Sequence, residues 1–331
     1  MKLFDGQGRP VLLGESVGRG GEAAVYTVKG RPGRLAKIFD PAPRPEYTYK
    51  LAWMLANPPE NPTQSLEHPS LAWPSALLYD ERRRLAGYLM PYIQVGVPIL
   101  DVFNPRRRQE MLPSFNRYYL HRVARNLAAA VGALHQHRYT VGDLNESNIL
   151  VTPAALVTLI DTDSFQVRER RDGHIVVHPC PVAKLEYTPP ELQGKSLDKV
   201  FRLPEHDAFG LGVLIFQLLM EGNHPFRAQW LGKGEPPPIE ARIASGAFPY
   251  TAAAAAQVLP PKNAPGLNLL HPGIAELVRR CFIDGHSQPR QRPSPAMWER
   301  AIAEAEKCML ECHAGHIYSS HLSSCPYCPQ T

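Results

Sequence analysis

Apolar residues follow two different spacings along the chain, and the change falls near Phe115. Before it, short runs such as 25–28 (VYTV) and 35–39 (LAKIF) are bounded by glycine and proline, which is typical of strands. One stretch, 46–55, has helical spacing and stops at paired prolines, which cannot continue a helix. Strand character resumes at 85–93. The first third is therefore predicted to be a small sheet with one helix.

The remainder of the chain is predicted to be mainly helical. Apolar residues recur at helical intervals over 118–137, which indicates a long helix with one buried stripe. The stretch 208–220 is apolar on nearly every side, so its helix is expected to be central, and 274–282 predicts a further helix. The short runs 149–151 and 157–160 predict a β-hairpin. The whole pattern predicts an α+β fold with a β-rich first part and a helical second part.

Composition and net charge narrow the class of protein that this pattern could belong to. The 331 residues include 44% hydrophobic and 20% charged side chains, which is ordinary for a globular protein. The net charge of +5 suits a protein that handles polyphosphate, but it is far below that of a typical nucleic-acid binder, so binding of nucleic acid is not expected. Many of the 34 prolines lie in connecting segments. The segment 229–270, rich in Pro, Ala and Gly, is interpreted as an irregular insertion.

The chain offers no pattern typical of a secreted or membrane protein. Its N-terminus lacks the apolar stretch of a signal peptide, and its longest apolar run, 211–220, is well short of the roughly 20 residues that a membrane helix requires. We therefore expect a cytoplasmic protein without membrane contact. The six cysteines are then expected to be thiols or metal ligands, and not disulfides.

A glycine-rich loop lies between two of the predicted strands. Gly18, Gly20 and Gly21 allow the backbone to approach a phosphate closely, although similar loops occur as ordinary hairpin turns. Lys37, in the apolar strand that follows, requires a counter-charge if it is buried. Glu46, at the start of the predicted helix, is the nearest candidate. The alternative is that Lys37 lies on the solvent face of an edge strand.

Three oxygen-bearing side chains flank the predicted hairpin. Asp143 and Asn148 precede its first strand and Asp161 follows its second, so they are expected to meet at one cleft. Mg²⁺ prefers oxygen ligands and bridges nucleotide phosphates. A single Asp or Asn often does no more than tie a loop. The complete set, with its spacing, favours a magnesium and nucleotide site.

The C-terminal residues 308–328 contain four cysteines and three histidines. A Cys-x₂-Cys pair places two thiolates on a tight turn, which suits one half of a tetrahedral zinc site. The predicted ligands are Cys312, His316, Cys325 and Cys328. Cys308 and His321 are alternatives, and a flexible tail with incidental thiols is the competing interpretation. A site closed by four ligands would be structural.

The order of these features resembles the protein-kinase superfamily. The resemblance continues, in kinase order over about residues 11–305, through the segments 188–192 (TPPEL), 207–213 (DAFGLGV), 222–226 (GNHPF) and 292–293 (RP). It implies a bilobal fold with an N-lobe at 1–92, a C-lobe at 93–305 and a zinc-ribbon tail at 306–331. The implied activity is transfer of the γ-phosphate of MgATP to Ser or Thr hydroxyls of a protein substrate.

The resemblance also implies a role for each matching residue. Asp143 would orient the substrate hydroxyl and accept its proton. Lys37 would hold the α- and β-phosphates and pair with Glu46. Asn148 and Asp161 would bind Mg²⁺.

Further residues would surround the nucleotide. The glycine loop would cover the phosphates, and backbone groups of 90–93 would contact adenine. The expected nucleotide-binding residues are Gly18, Gly20, Gly21, Val25, Lys37, Glu46, Met90, Tyr92, Asn148 and Asp161. Arg292 would pair with Glu191, the acidic residue that closes the activation segment.

Several positions depart from the kinase pattern. Asn145, which we include in the catalytic set, stands where Ser/Thr kinases usually have a lysine that steadies the γ-phosphate. Residues 141–142 (VG) replace His-Arg, so control by phosphorylation through that arginine is not expected. Residues 161–163 (DTD) replace Asp-Phe-Gly, and Ala23 lies near the third glycine position. Glu46 is unusually close to Lys37 in the chain. None of these changes removes a metal ligand or the base, so activity is expected.

The segments 142–145 (GDLN), 161–165 (DTDSF) and 325–328 (CPYC) resemble a bacterial group of kinases that end in a zinc ribbon. That group is found in stress and tellurite-resistance gene clusters with a TerY-type von Willebrand A protein and a 2C-type phosphatase. The resemblance implies a substrate or scaffold from this set. A pseudokinase that binds ATP and acts through protein contacts is the alternative. A small-molecule phosphotransferase is disfavoured by Glu191 and Arg292.

Overall fold

Seven antiparallel strands form the largest sheet of the computed structural model, which describes residues 2–43, 45–252 and 254–328. The strands are β1 (Leu3–Asp5), β2 (Pro10–Val11), β3 (Leu13–Arg19), β4 (Ala23–Val28), β5 (Arg34–Phe39), β6 (Ala76–Tyr79) and β7 (Leu85–Pro91). Their spatial order is β2-β1-β6-β7-β5-β4-β3. Strand β7 is buried along almost its whole length, which explains its near-continuous apolar sequence.

One helix, α1 (Pro45–Ala56), connects β5 to β6. It begins at a proline, whose missing N–H is tolerated in the first turn, and it ends before the paired prolines, as predicted. Its inner face carries Lys50, Leu51 and Met54, all buried. The sheet with one helix that the sequence predicts is therefore present.

The second part of the chain is built mainly of helices. They are α2 (Ile99–Phe103), α3 (Pro105–Met111), α4 (Arg117–Gln136), α5 (Pro204–Leu219), α6 (Ile239–Ser245), α7 (Pro272–Arg279), α8 (Gly285–Ser287) and α9 (Pro295–Lys307). Asn116 caps α4 by accepting N–H groups from Tyr118 and Tyr119. Helix α5 is buried from Asp207 to its end, so the prediction of a central helix is confirmed.

Short strand pairs complete the second part. They are β8 (Val97–Pro98), β9 (Ile149–Val151) and β10 (Val157–Leu159) in one sheet, β11 (Val167–Arg171) with β12 (His174–His178), β13 (Gln229–Trp230) with β14 (Val258–Leu259), and β15 (Met309–Glu311) with β16 (Ile317–Ser319). The predicted hairpin is β9–β10, in antiparallel register. The β11–β12 hairpin was not predicted.

The segment 229–270 is more regular than its composition predicts. It contains α6 and the β13–β14 pair, and Ile243 and Phe248 lie in the main hydrophobic core. These contacts with distant residues supply order that local composition does not reveal. The same core runs from Leu35 in the sheet to Ala305 in α9 and so joins the two parts. Across the described residues, no helix combines the length and apolar character needed to cross a membrane.

Candidate active site

The loop before β9 is fixed to helix α5 by one buried aspartate. Asp207 accepts the N–H groups of Val141 and Gly142, each at 2.8 Å, and the ring Nε2–H of His135 at 2.9 Å. Gly142 adopts a left-handed φ of +76°, and a Cβ there would lie 2.7 Å from the Cβ of Cys180. A glycine is therefore required at this position. These contacts fix the backbone of the loop against helix α5.

This loop brings Asp143, Asn145 and Asn148 into direct contact. Asn145 Nδ2 donates to Asp143 Oδ1 at 2.8 Å, and Asn148 Nδ2 donates to the Asp143 carbonyl at 3.1 Å. The backbone N–H of Lys184, from the segment after β12, also donates to Asp143 Oδ1, at 3.0 Å. The carboxylate of Asp143 is thus oriented by donors on two segments.

Asp161 follows β10 and lies beside this loop. The N–H of Ile160 donates to the Asn148 carbonyl at 2.9 Å, so the ends of β9 and β10 are joined directly in front of Asp161. Asp161 adopts a left-handed φ of 58°, and its side chain is 42% exposed. The predicted metal ligands Asn148 and Asp161 therefore lie on neighbouring strand ends.

Lys37 on β5 reaches this site from the sheet. Its Nζ pairs with Asp161 and, at 2.6 Å, with Asp163 Oδ1. Burial disfavours the charged ammonium, but the two carboxylates outweigh that penalty and raise the pKa of Lys37. The alternative of a lysine on a solvent face is therefore wrong.

The predicted pairing of Lys37 with Glu46 is not formed. Glu46 is exposed in the first turn of α1, whereas Tyr47 and Lys50 point toward the site. Adjacent helical residues point about 100° apart, so a carboxylate one position before Tyr47 faces solvent. The counter-charge comes instead from Asp161 and Asp163.

Asp163 and its tyrosine partners were missed by the sequence analysis. The Asp163 carboxylate is buried and accepts Tyr88 Oη at 2.7 Å and Tyr47 Oη at 3.0 Å. Burial raises the pKa of this carboxyl, but Lys37 and the Tyr88 hydroxyl outweigh that effect, so the net shift of the pKa is downward. Lys50 is also buried here, and desolvation lowers its pKa to about 8. Lys50 and Tyr88 lie beside or within apolar runs, and Asp163 is the second aspartate of the 161–163 (DTD) motif; these were the signals available in the sequence.

Of the nucleotide-binding residues predicted on the sheet, Val25 is the one that lies directly beside Lys37. Val25 and Tyr88 are the register partners of Lys37 on β4 and β7. The glycine loop is the exposed tip between β3 and β4, where Gly20 N–H donates to the Ala23 carbonyl at 2.8 Å. Met90 lies at the end of β7, and Tyr92 N–H donates to the Gly33 carbonyl at 3.1 Å.

The predicted pair of Glu191 and Arg292 is present. Arg292 donates Nη1 and Nη2 to the two carboxylate oxygens of Glu191, each at 2.6 Å. Arg292 Nη1 also donates to the Glu205 carbonyl at 3.0 Å, and its side chain is fully buried. This bidentate contact ties the segment that follows the β11–β12 hairpin to the helical part.

The four predicted zinc ligands form one cluster. Their ligand atoms all lie within 4.8 Å of one another. His316 Nδ1 lies 3.6 Å from Cys312 Sγ, 3.7 Å from Cys325 Sγ and 3.5 Å from Cys328 Sγ. Ligands of one tetrahedral zinc ion are separated by about 3.4–3.8 Å, so the cluster is compatible with zinc.

The alternative ligands are not part of this cluster. Both ring nitrogens of His321 form hydrogen bonds elsewhere: Nδ1 with Ser319 Oγ at 2.9 Å and Nε2 with the Asn268 carbonyl at 3.0 Å. Cys308 does not belong to the cluster that the described residues form. His321 and Tyr327, whose ring lies 5.5 Å from the Arg117 guanidinium, dock the tail on the helical part.

Two curated proteins are similar to this chain over almost its whole length. No protein-family model matches the chain. The chain is 31% identical over 334 residues to the Escherichia coli K12 protein named Protein kinase YegI, an alignment that covers 99% of this chain and 50% of the relative. The protein of the same name from E. coli O157:H7 is 32% identical over 334 residues, with 98% and 50% covered.

The chain therefore spans about half the length of the curated relatives it matches. Both of these relatives are named as protein kinases.

Proposed function

We propose that the chain is the catalytic part of a protein kinase that transfers the γ-phosphate of MgATP to Ser or Thr hydroxyls of a protein substrate. The observation that carries the proposal is the convergence of Lys37, Asp143, Asn148 and Asp161 at one place. Lys37 comes from the sheet, and the other three come from the loop and strand ends of the second part. The relatives named protein kinase support the same activity.

The donor set fits a magnesium-bound nucleotide. The side-chain amide nitrogen of Asn148 donates a hydrogen bond to Asp143. Its amide oxygen is therefore available to bind a cation. The exposed carboxylate of Asp161 is a second hard oxygen ligand beside it. When bound, MgATP supplies the transferable phosphoryl group and the metal that neutralises its charge.

The chain's own residues position the reactants. Lys37 carries a full positive charge in a half-buried site, where it would hold phosphate oxygens strongly. Asp143 would accept a hydrogen bond from the substrate hydroxyl and then its proton. Asn145 and the Lys184 amide keep that carboxylate oriented. Asn145 cannot supply the cation that a lysine would provide there, so we expect slow transfer.

Phosphate transfer from radiolabelled ATP to the chain itself and to a generic protein substrate tests the proposal. Asp143→Ala and Asp161→Asn should each lower the rate at least about 100-fold, because the first removes the base and the second removes the negative charge of a metal ligand. Asp284→Asn, an exposed aspartate outside the site, is the matched control and should retain the parent rate. Equal rates in all four proteins would refute the enzyme and favour an ATP-binding pseudokinase. Phosphoamino-acid analysis decides between Ser/Thr and other acceptors.

We further propose that the tail holds one structural zinc ion through Cys312, His316, Cys325 and Cys328. Metal analysis should find one zinc per chain, and Cys325→Ser should abolish it while Cys308→Ser retains it. Retention of zinc by the Cys325→Ser variant would contradict the assigned ligand set.

The cellular role rests on the resemblance to bacterial kinases with a zinc ribbon. We propose a cytoplasmic signalling module for stress responses, with a TerY-like von Willebrand A protein and a 2C-type phosphatase as partners. Co-purification of such proteins, followed by phosphorylation of the recovered partner with labelled ATP, tests this role. Recovery of neither protein would argue against it.

A further inference from the structure

The two aspartates that contact Lys37 differ sharply in their surroundings. The side chain of Asp161 is 42% exposed, whereas that of Asp163 is 4% exposed. Asp161 stands at the strand end beside Asn148, where the proposed magnesium would bind. If Asp161 binds a metal, its ion pair with Lys37 weakens, because the carboxylate oxygens are then shared between the lysine and the metal cation.

Asp163, in contrast, is locked by donors from three separate elements. Oδ1 accepts Lys37 Nζ of β5 at 2.6 Å and Tyr88 Oη of β7 at 2.7 Å. Oδ2 accepts Tyr47 Oη of α1 at 3.0 Å, and the same hydroxyl lies 3.0 Å from the Asp163 carbonyl. Moving this carboxylate would leave an ammonium and two hydroxyls without their buried acceptor, which is costly.

Helix α1 offers no substitute for this carboxylate among the residues that the structure describes. Its single acidic residue, Glu46, is exposed. Its inward side carries Tyr47 and Lys50, and Lys50 Nζ lies 5.3 Å from the Tyr47 ring centre. A helix face that presents a hydroxyl and a second cation needs negative charge from another element. Asp163 supplies that charge.

We propose that Asp163 is the residue that positions Lys37 for nucleotide phosphates, in place of a carboxylate on helix α1. This inference rests on the proposed kinase function. Asp161 and Asp163 thereby have different roles: the exposed carboxylate of Asp161 binds the metal, and the buried carboxylate of Asp163 positions Lys37. Helix α1 is connected to the site through the Tyr47 hydroxyl and not through an ion pair.

The experiment measures MgATP affinity by calorimetry, and kcat and KM by phosphate transfer, for the parent, Asp163→Asn and Glu46→Gln. Asp163→Asn preserves the shape but removes the charge, and should weaken MgATP binding about 10- to 100-fold and lower kcat/KM for ATP at least as much. Its KM for the protein substrate should stay at the parent value, which a general loss of structure would not produce. Glu46→Gln should stay within about twofold of the parent. The proposal is overturned if Asp163→Asn has the MgATP affinity and kcat/KM of the parent. It is also overturned if Glu46→Gln loses as much MgATP affinity as Asp163→Asn does.

A milder variant covers the case in which Asp163→Asn does not fold. Tyr88→Phe keeps the ion pair but removes one of the donors that hold Asp163. It should raise KM for ATP about three- to tenfold with an unchanged KM for the protein substrate. Parent-like kinetics in Tyr88→Phe would contradict the proposal.

The same measurements separate this inference from the proposed function. A parent protein that binds MgATP but transfers no phosphate refutes the kinase proposal, and the affinities alone then decide the role of Asp163. A parent protein that neither binds nor transfers refutes both.

Discussion

Two buried aspartates hold the two sides of the site, and they do so in different ways. Asp207 accepts two backbone N–H groups and one imidazole N–H, all from residues 135–142. Asp163 accepts a charged ammonium and two tyrosine hydroxyls from residues that are distant in the chain. The first aspartate fixes a backbone, and the second fixes a side chain.

This difference separates stability from function. The donors of Asp207 are parts of the chain that must be satisfied in any folded state. The donors of Asp163 also depend on it for stability, but they include Lys37, whose charge would hold nucleotide phosphates in the proposed function. We therefore expect loss of Asp207 to act mainly on the fold, and loss of Asp163 to weaken nucleotide binding in addition to any loss of stability.

Asp207→Ala should give the largest loss of stability. It leaves the N–H groups of Val141 and Gly142 buried without an acceptor, and we expect about 3–5 kcal/mol less free energy of unfolding. Urea denaturation at constant m-value measures this change. The exposed Asp284→Asn should remain within about 0.5 kcal/mol of the parent. A loss below about 1 kcal/mol in Asp207→Ala would show that this contact does not anchor the loop.

Gly142→Ala tests the backbone on the same side. The new Cβ would meet Cys180 at 2.7 Å, and the φ of +76° is unfavourable for alanine. We expect a loss of about 2–4 kcal/mol from strain and overpacking together. Gly173→Ala is the matched control, because its φ is +79° and a Cβ there meets nothing within 4 Å. Equal losses in the two variants would mean that the contact with Cys180 contributes nothing.

His224 extends the comparison to a neutral buried group. Its Nε2–H donates to the Glu186 carbonyl at 2.9 Å, and its Nδ1 accepts the Phe226 N–H at 3.1 Å, so the imidazole is uncharged. Burial lowers the pKa of His224 to about 4. The unfolded chain takes up a proton below about pH 6.5, whereas the folded chain does so only near pH 4.

Stability should therefore fall as the pH drops from 6.5 to 4, by up to about 3 kcal/mol from this residue. Urea denaturation across this range measures the slope. His224→Gln should flatten it in part, because His121, whose pKa burial lowers to about 3, contributes in the same direction. An unchanged slope in His224→Gln would contradict the assignment.

The sequence predicts those parts of the molecule that depend on local pattern. Helices α4 and α5 and the β9–β10 hairpin follow from apolar spacing, and the four clustered ligands of the tail follow from short-range Cys and His spacing. The β11–β12 hairpin was missed because its first strand, VRERR, is mostly charged and shows little strand pattern. The order in segment 229–270 arises from core contacts with distant residues.

The partner of Lys37 could not be predicted for a similar reason. Whether Glu46 or Tyr47 faces the site depends on a helix rotation that only tertiary packing decides. Asp163 becomes a counter-ion only when β5, β7 and α1 surround it. A motif indicates which residues meet at a loop, but not which charges meet across two parts of a fold.

Calorimetric titration of ATP into the parent and Asp161→Asn, with and without Mg²⁺, tests the central claim most directly. The account predicts ATP uptake by the parent that strengthens when Mg²⁺ is added, and loss of that magnesium dependence in Asp161→Asn. Magnesium-independent uptake, or the same magnesium dependence in both proteins, would contradict it.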